Sequence, residues 1–314
     1  IQDGAQGGTM FLLGGEAPGG GVYACLSGDQ RVFVMEESYA RLFLSNVERF
    51  LDLRLYPSLE GTAGSELLGI AVRRDGETAY RLRQVSAAES GTAYFALESP
   101  WNLLLGAGPV ESALLTPLRQ LEGSGVAEGD PASNGLTAQS DSFRLRFRNG
   151  GEITVLVGPR SGEYTLAAVE GGGVTLSVPT ARLAFMDLTA EEVMGRALLK
   201  LNVNDISTLA LNGHVYGIER SAGQLRVTRD GADYDAAAFQ SAVFPALNHI
   251  SIGGVYDGAA GEELLRLHID SSVGEEEISL SFRRLDGRRC AVEINGQMAL
   301  WCDLSAVSAL LACG

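Results

Sequence analysis

At 314 residues, with 46% hydrophobic and 20% charged residues, the chain can fold and exceeds the usual size of a single core, which predicts two or more packed cores. A formal net charge of −15 repels nucleic-acid phosphate and anionic headgroups, and no Lys/Arg-rich run reverses that sign locally, so nucleic acid is excluded as a partner. No apolar run approaches the roughly 18 to 20 residues that a spanning helix needs.

The chain opens at Ile1, without an initiator Met, and runs into a turn at Asp3 to Gly8. This predicts a natural segment upstream. Lys200 is the sole lysine, so nearly all positive charge is Arg, read here as ordinary surface charge. The 40 glycines stand in short clusters between alternating apolar runs, where they punctuate hairpins.

The elements recur in chain order with one grammar of strand, turn, strand, tight turn, strand and helix. The first copy has strands in Thr9 to Gly15, Val22 to Ser27 and Arg31 to Glu36, then a helix whose Tyr39, Leu42, Phe43, Val47 and Phe50 recur at helical spacing. A shorter copy follows, with strands Leu67 to Val72, Ala79 to Val85 and Thr92 to Leu97, a turn at Asp75-Gly76 and a helix over Gly108 to Leu121. The third copy opens with an additional strand, Phe143 to Arg148, whose arginines alternate with Phe143, Leu145 and Phe147, so one face is apolar and one solvated. Strands Glu152 to Gly158, Tyr164 to Val169 and Gly173 to Val178 come next, then a helical TARLAFM segment and a capping box formed by Thr189 and Glu192.

A second short copy carries strands around Leu209, Tyr216 and Val227, the Asn212-Gly213 turn, and a helix over Ala236 to Leu247. The last long copy runs from Leu264 to Ile269 through Glu277 to Phe282 and a hairpin closed at Asn295-Gly296, ending in a helix near Leu310. Pro117 and Pro245 fall inside helical patterns and predict kinks or early ends. The first copy lacks the additional strand, which predicts that the missing strand precedes Ile1. The expected fold is α+β: tandem antiparallel meanders, each followed by a helix that covers one sheet face, in an elongated array. The unit boundaries are 1–65, 66–135, 141–204, 205–258 and 262–314, with a grouping into two larger domains near 135–141.

If Asn295-Gly296 is a two-residue turn, Ile294 faces Gln297, and counting outward sets Cys290 opposite Trp301 and Cys302 opposite Arg289. Cys290 and Cys302 then point to opposite faces, and a bridge between them needs a bulge. Cys25, Cys290, Cys302 and Cys313 are expected as free, mostly buried thiols.

Candidate chemistry is sparse. His214, His249 and His268 stand alone, without HExxH or paired Cys-x-x-Cys spacing. Asp230, Asp233 and Asp235 lack the order and closing Glu of a calcium loop, and Asp230-Gly231 already reads as a turn. Glu275-Glu276-Glu277 reads as the solvated start of a strand. Ser271-Ser272 lies near His268 but outside any GxSxG elbow. The Gly14-Gly15 and Gly19-Gly20-Gly21 cluster lies between two strands and does not open a helix, so it reads as a hairpin turn and not a phosphate cradle. Trp101 and Trp301 are the only tryptophans; Trp101 with Tyr94 is the candidate ligand-binding pair, the competing role being core packing. No catalytic, metal or cofactor-binding residue is assigned, and no cofactor is expected.

Gly14-Gly15, Pro18, Tyr23-Ala24, Val32 and the following helix, together with the later phrase ending in Ser99-Pro100-Trp101, make the chain resemble the bacterial DUF4340 family of unknown function. The resemblance extends over nearly the whole chain as core and turn positions, with no catalytic signature. The short copy near Tyr234-Asp235 lacks the Pro-Trp phrase. Family members typically start with a membrane anchor or lipoprotein-like signal and stand beside ABC-type export or gliding-motility-like components. The resemblance therefore implies an extracytoplasmic, membrane-tethered accessory whose partners are envelope proteins such as ABC-type transporter subunits, with the membrane reached only through an N-terminal anchor.

Three functions are carried forward. The first is a non-catalytic interaction module that presents sheet surfaces or edges to a transporter or envelope component. The second is a ligand- or glycan-binding protein, and the third an envelope hydrolase with Ser or Asp/Glu chemistry assembled across units.

Overall fold

The structure is a computed structural model that describes residues 10–44, 52–57, 59, 67–85, 93–221, 223–273 and 277–313. The opening turn, Thr9, Val47, Phe50, Thr92, Gly274, Glu275 and Glu276 lie outside the described residues. The chain forms two compact units, Ile1–Asp52 and Leu53–Gly314.

In the first unit, β1 (Phe11–Glu16), β2 (Val22–Leu26) and β3 (Val32–Met35) form an antiparallel meander followed by α1 (Glu37–Leu44). The glycine cluster is the β1–β2 turn, where Gly19, Gly20 and Gly21 all take positive φ. Phe11 stacks on Phe43 of α1 at 5.3 Å.

The second unit contains two nine-stranded antiparallel sheets. The first comprises β4 (Leu67–Arg74), β5 (Glu77–Val85), β6 (Tyr94–Ser99), β7 (Leu103–Gly106), β8 (Gly125–Val126), β9 (Asp141–Phe147), β10 (Glu152–Val157), β11 (Tyr164–Val169) and β12 (Leu176–Pro179), in the order β7-β6-β5-β4-β9-β10-β11-β12-β8. The second comprises β13 (Ile206–Leu211), β14 (His214–Ser221), β15 (Gln224–Arg229), β16 (Ala232–Tyr234), β17 (Ile252–Val255), β18 (Glu263–Ser271), β19 (Glu277–Arg284), β20 (Arg289–Ile294) and β21 (Gln297–Asp303), in the order β16-β15-β14-β13-β18-β19-β20-β21-β17. Adding nine to each label of the first order gives the second. Residues 135–141, where a domain grouping was expected, lead into β9, which pairs with β4 at the centre of one sheet.

The tight turns explain why the strands fold back where they do. Asp75-Gly76, Asn212-Gly213, Asp230-Gly231 and Asn295-Gly296 all have two successive positive φ angles, as a type I′ hairpin turn requires. Each sheet buries one face under helices. Helix α2 (residues 107–119) and a 3₁₀ segment, Thr180–Asp187, cover the first sheet, where Phe143 meets Phe185 edge-on at 5.3 Å. Helix α3 (Ala190–Met194) starts on the expected capping box, both halves of which are present. Helices α4 (residues 236–248) and α5 (Leu304–Leu311) cover the second sheet through Phe239, Val243, Val307 and Leu310.

Helices α2 and α4 end two and three residues beyond Pro117 and Pro245, at Arg119 and Asn248, and each has a π-helical turn just upstream, Glu111–Leu115 and Phe239–Val243. The wider turn accommodates the carbonyl four residues before proline, which would otherwise meet the ring. The second unit has one main core from Leu55 to Leu310 and a small separate cluster at Leu136, Leu156 and Ala168. The segment between the sheets is itself apolar and buried at Leu198, Leu199 and Leu201, and is tied to the second half by Leu198 N–H donating to Ile250 O at 2.9 Å.

The register of the last hairpin also departs from simple counting. Ile294 does face Gln297, but a bulge at Ala299 places Leu300 opposite Val292 and brings Cys290 opposite Cys302 on one face. All four cysteines are free, and Cys290 and Cys302 are fully buried.

Candidate functional site

The solvated face of the first sheet is built from the residues that alternate with its core. On β4, Ile70 and Val72 are buried in the core, so Gly69, Ala71 and Arg73 face the other way. The pairing sets these three between matching positions of β5 and β9. Ala71 lies between Arg81 and Arg144, Gly69 between Arg83 and Arg146, and Arg73 between Thr78 and Ser142. Two rows thus read Arg, small residue, Arg, with flanking Cα atoms roughly 10 Å apart across two strand spacings.

The short residues at the centre leave room that the long ones surround. A cavity of about 390 Å³ opens there, lined by Arg73, Arg81, Arg144 and Arg146 together with Glu98, Glu152 and Glu170. A Cβ placed on Gly69 would stand 3.7 Å from the Arg146 guanidinium, so that side chain lies across the glycine. Residues before β9 form one wall: Ala138 lines the cavity and its carbonyl accepts from Arg73 Nη2 at 2.6 Å.

Some of these charges are already matched. Glu98 pairs with Arg83 at 2.8 Å, and Glu152 with Arg144 at 3.6 Å. Arg81 and Arg146 have no carboxylate partner among the described residues. Arg73 Nε is buried without a hydrogen-bond partner among them, an arrangement that costs free energy until an acceptor is supplied.

The second sheet carries different side chains on the same framework. Its central rows place Ala210 between Val215 and His268, and Thr208 between Gly217 and Asp270. His268 and Asp270 pair with each other at 2.9 Å. The arginine rows are therefore not a requirement of the fold.

The residues singled out from sequence lie elsewhere. Tyr94 is fully buried, its hydroxyl donating to Asp205 Oδ2 at 2.7 Å and accepting the Asn202 N–H at 2.8 Å. Trp101 is 7% exposed, and its carbonyl accepts from Asn295 Nδ2 at 3.2 Å. Trp301 packs its indole on Gly253 and lies beneath the Arg289 guanidinium at 5.5 Å. The structure brings neither Tyr94 nor Trp101 to the cavity lining.

The aspartates near Asp230 each hold local structure. Asp230 accepts from Val215 N–H at 2.9 Å and pairs with His214 at 2.7 Å; the His214 bond, then the Val215 bond, holds its carboxyl below the usual carboxylate range. Asp233 pairs with Arg226, and Asp235 caps α4 by accepting from Ala237 N–H. Ser271 Oγ donates to Asp205 O, while His249 is exposed at the end of α4. Among the described residues, no group of three or more His, Cys, Asp or Glu is placed to hold a metal ion. No helix of the described residues is long and apolar enough to cross a membrane.

Sequence reading missed the arginine cavity because its arginines come from three strands, β4, β5 and β9, the last far from the other two along the chain. The available signal was the paired spacing Arg81/Arg83 and Arg144/Arg146, each on a strand of period two. No family model, curated protein or solved structure matches the chain.

Proposed function

We propose that the chain is a non-catalytic interaction module of the cell envelope, tethered to the membrane in the longer protein and accessory to an ABC-type transport or envelope system. The observation that carries the recognition role is the arginine-lined cavity on the central strands of the first sheet, whose arginine rows give way to Val215, His268, Gly217 and Asp270 at the matching positions of the second. Charged side chains arranged around a recess favour recognition of a complementary group and screen out wrong partners. The envelope location and the transporter partnership rest on the resemblance to the DUF4340 family.

The shared strand order supports a tandem architecture in which units 66–135 and 141–204 make one copy and units 205–258 and 262–314 the next. Unit 1–65 supplies the meander and helix that end such a copy.

Affinity capture of the natural full-length protein from native membranes tests this reading. The wild type is expected to retain transporter subunits, and a variant carrying Arg81→Gln and Arg146→Gln to lose them. Solitary behaviour of the wild type in mild detergent would count against it.

A second reading, a ligand-binding protein, is favoured by the same cavity, whose volume falls within the usual range for small-molecule sites. With Trp101 and Tyr94 buried, that reading rests on the arginines.

A further inference from the structure

The geometry points to a small multivalent oxyanion as the occupant of the arginine cavity, and we infer that a di- or tricarboxylate or a phosphate ester binds there. The inference deepens the recognition role proposed above and rests on it. Guanidinium groups present planar pairs of N–H donors that match carboxylate and phosphate oxygens. Arg81 and Arg146 reach the recess from opposite sides of β4 without a carboxylate partner among the described residues. Between them Gly69 and Ala71 keep the floor low, so the anion can sit down among the forks. Arg73 lines the same cavity, with its Nη2 held by the Ala138 carbonyl at 2.6 Å.

The size and surroundings select a small ion over a polymer. The cavity holds about 390 Å³, and Glu98, Glu152 and Glu170 also line it. Those carboxylates, on a chain of net charge −15, repel an extended polyanion running past the recess. A compact ion that stays among the arginines avoids them. Arg144 is already engaged with Glu152 and contributes less than Arg81 or Arg146.

Isothermal titration of the chain with citrate and with inorganic pyrophosphate, at low ionic strength, tests the assignment. At least one anion is expected to bind with one-to-one stoichiometry; citrate alone would mark a carboxylate site, and pyrophosphate alone a phosphate site. Arg81→Gln and Arg146→Gln should each weaken binding about tenfold, as loss of a charge-assisted pair predicts, whereas Arg226→Gln on the second sheet should not. Circular dichroism of each variant verifies that it folds. Binding of neither anion at millimolar concentration overturns the assignment, as does binding that both cavity variants retain in full. A chain that binds neither anion while the double variant still loses its captured partner refutes the oxyanion and leaves the recognition face standing. Anion binding with no captured partner does the reverse.

Discussion

The hydroxyl of Tyr94 donates to the carboxylate of Asp205 at 2.7 Å, joining β6 of the first sheet to the segment that leads into β13 of the second. Both residues are buried, and the Asp205 carbonyl in turn accepts from Ser271 Oγ and Ser272 N–H, each at 3.0 Å. A polar network in this position links strands of both sheets within one core.

Replacing Tyr94 with Phe keeps the ring and removes the donor to Asp205 and the acceptor for Asn202 N–H. The expected loss is about 1–3 kcal/mol, because buried polar groups give up a partner with no water to replace it. Urea denaturation measures it, and a loss within error of zero would mean that the network is dispensable.

At Gly69 an added methyl would stand 2.9 Å from the Leu82 carbonyl oxygen, a backbone atom of the neighbouring strand. Gly69→Ala must therefore push β4 and β5 apart. A cost of about 1–3 kcal/mol, typical of overpacking, is expected in a thermal melt corrected to a common temperature.

Gly253 is closed to substitution by a side chain instead. Its ideal Cβ falls 2.2 Å from the Trp301 indole. In a Trp101→Phe background, Gly253→Ala should shift the remaining tryptophan emission to the red as the indole leaves its seat under Arg289. An unchanged spectrum would show that the ring is not held there.

Burial raises the Cys302 thiol from 9.0 to about 12, with Cys290 and Asp303 adding smaller effects in the same direction. The folded state thus favours the neutral thiol. Its contribution to stability is complete below pH 9 and is lost as pH rises towards 12. Buried Tyr56 and Tyr80 are raised too, by desolvation first. Denaturation curves of the wild type should consequently fall more steeply over this window than those of Cys302→Ala, which retains both tyrosines. Equal slopes would refute the assignment to Cys302.

Much of the framework was legible where local chemistry decides the conformation. The Asn-Gly and Asp-Gly pairs bend because only such residues take two positive φ angles readily, and Thr189 with Glu192 caps α3 through its own side chains. The alternation of Phe143, Arg144, Leu145 and Arg146 assigned a face to each residue. Legibility ended where a distant partner decides. The bulge at Ala299 moves Cys290 from Trp301 to Cys302, and nothing local marks it. Short strands such as Leu103–Gly106 and Gly125–Val126 exist through pairing alone.

For the site the limit is sharper. Arg73, Arg81, Arg144 and Arg146 look like ordinary surface charges along the chain, and become neighbours only when β4 and β9 pair across some seventy residues. Tyr94 and Trp101 show the converse: aromatic groups suited to stacking are drawn into the interior by the apolar strands around them.

Both large sheets taper to stubs at their margins, β7 and β8 in one and β16 and β17 in the other, with two to four residues each. So little unpaired backbone gives a foreign strand almost no template along which to zip, and it protects against fibrillar self-assembly. Whatever docks on these sheets must read side chains.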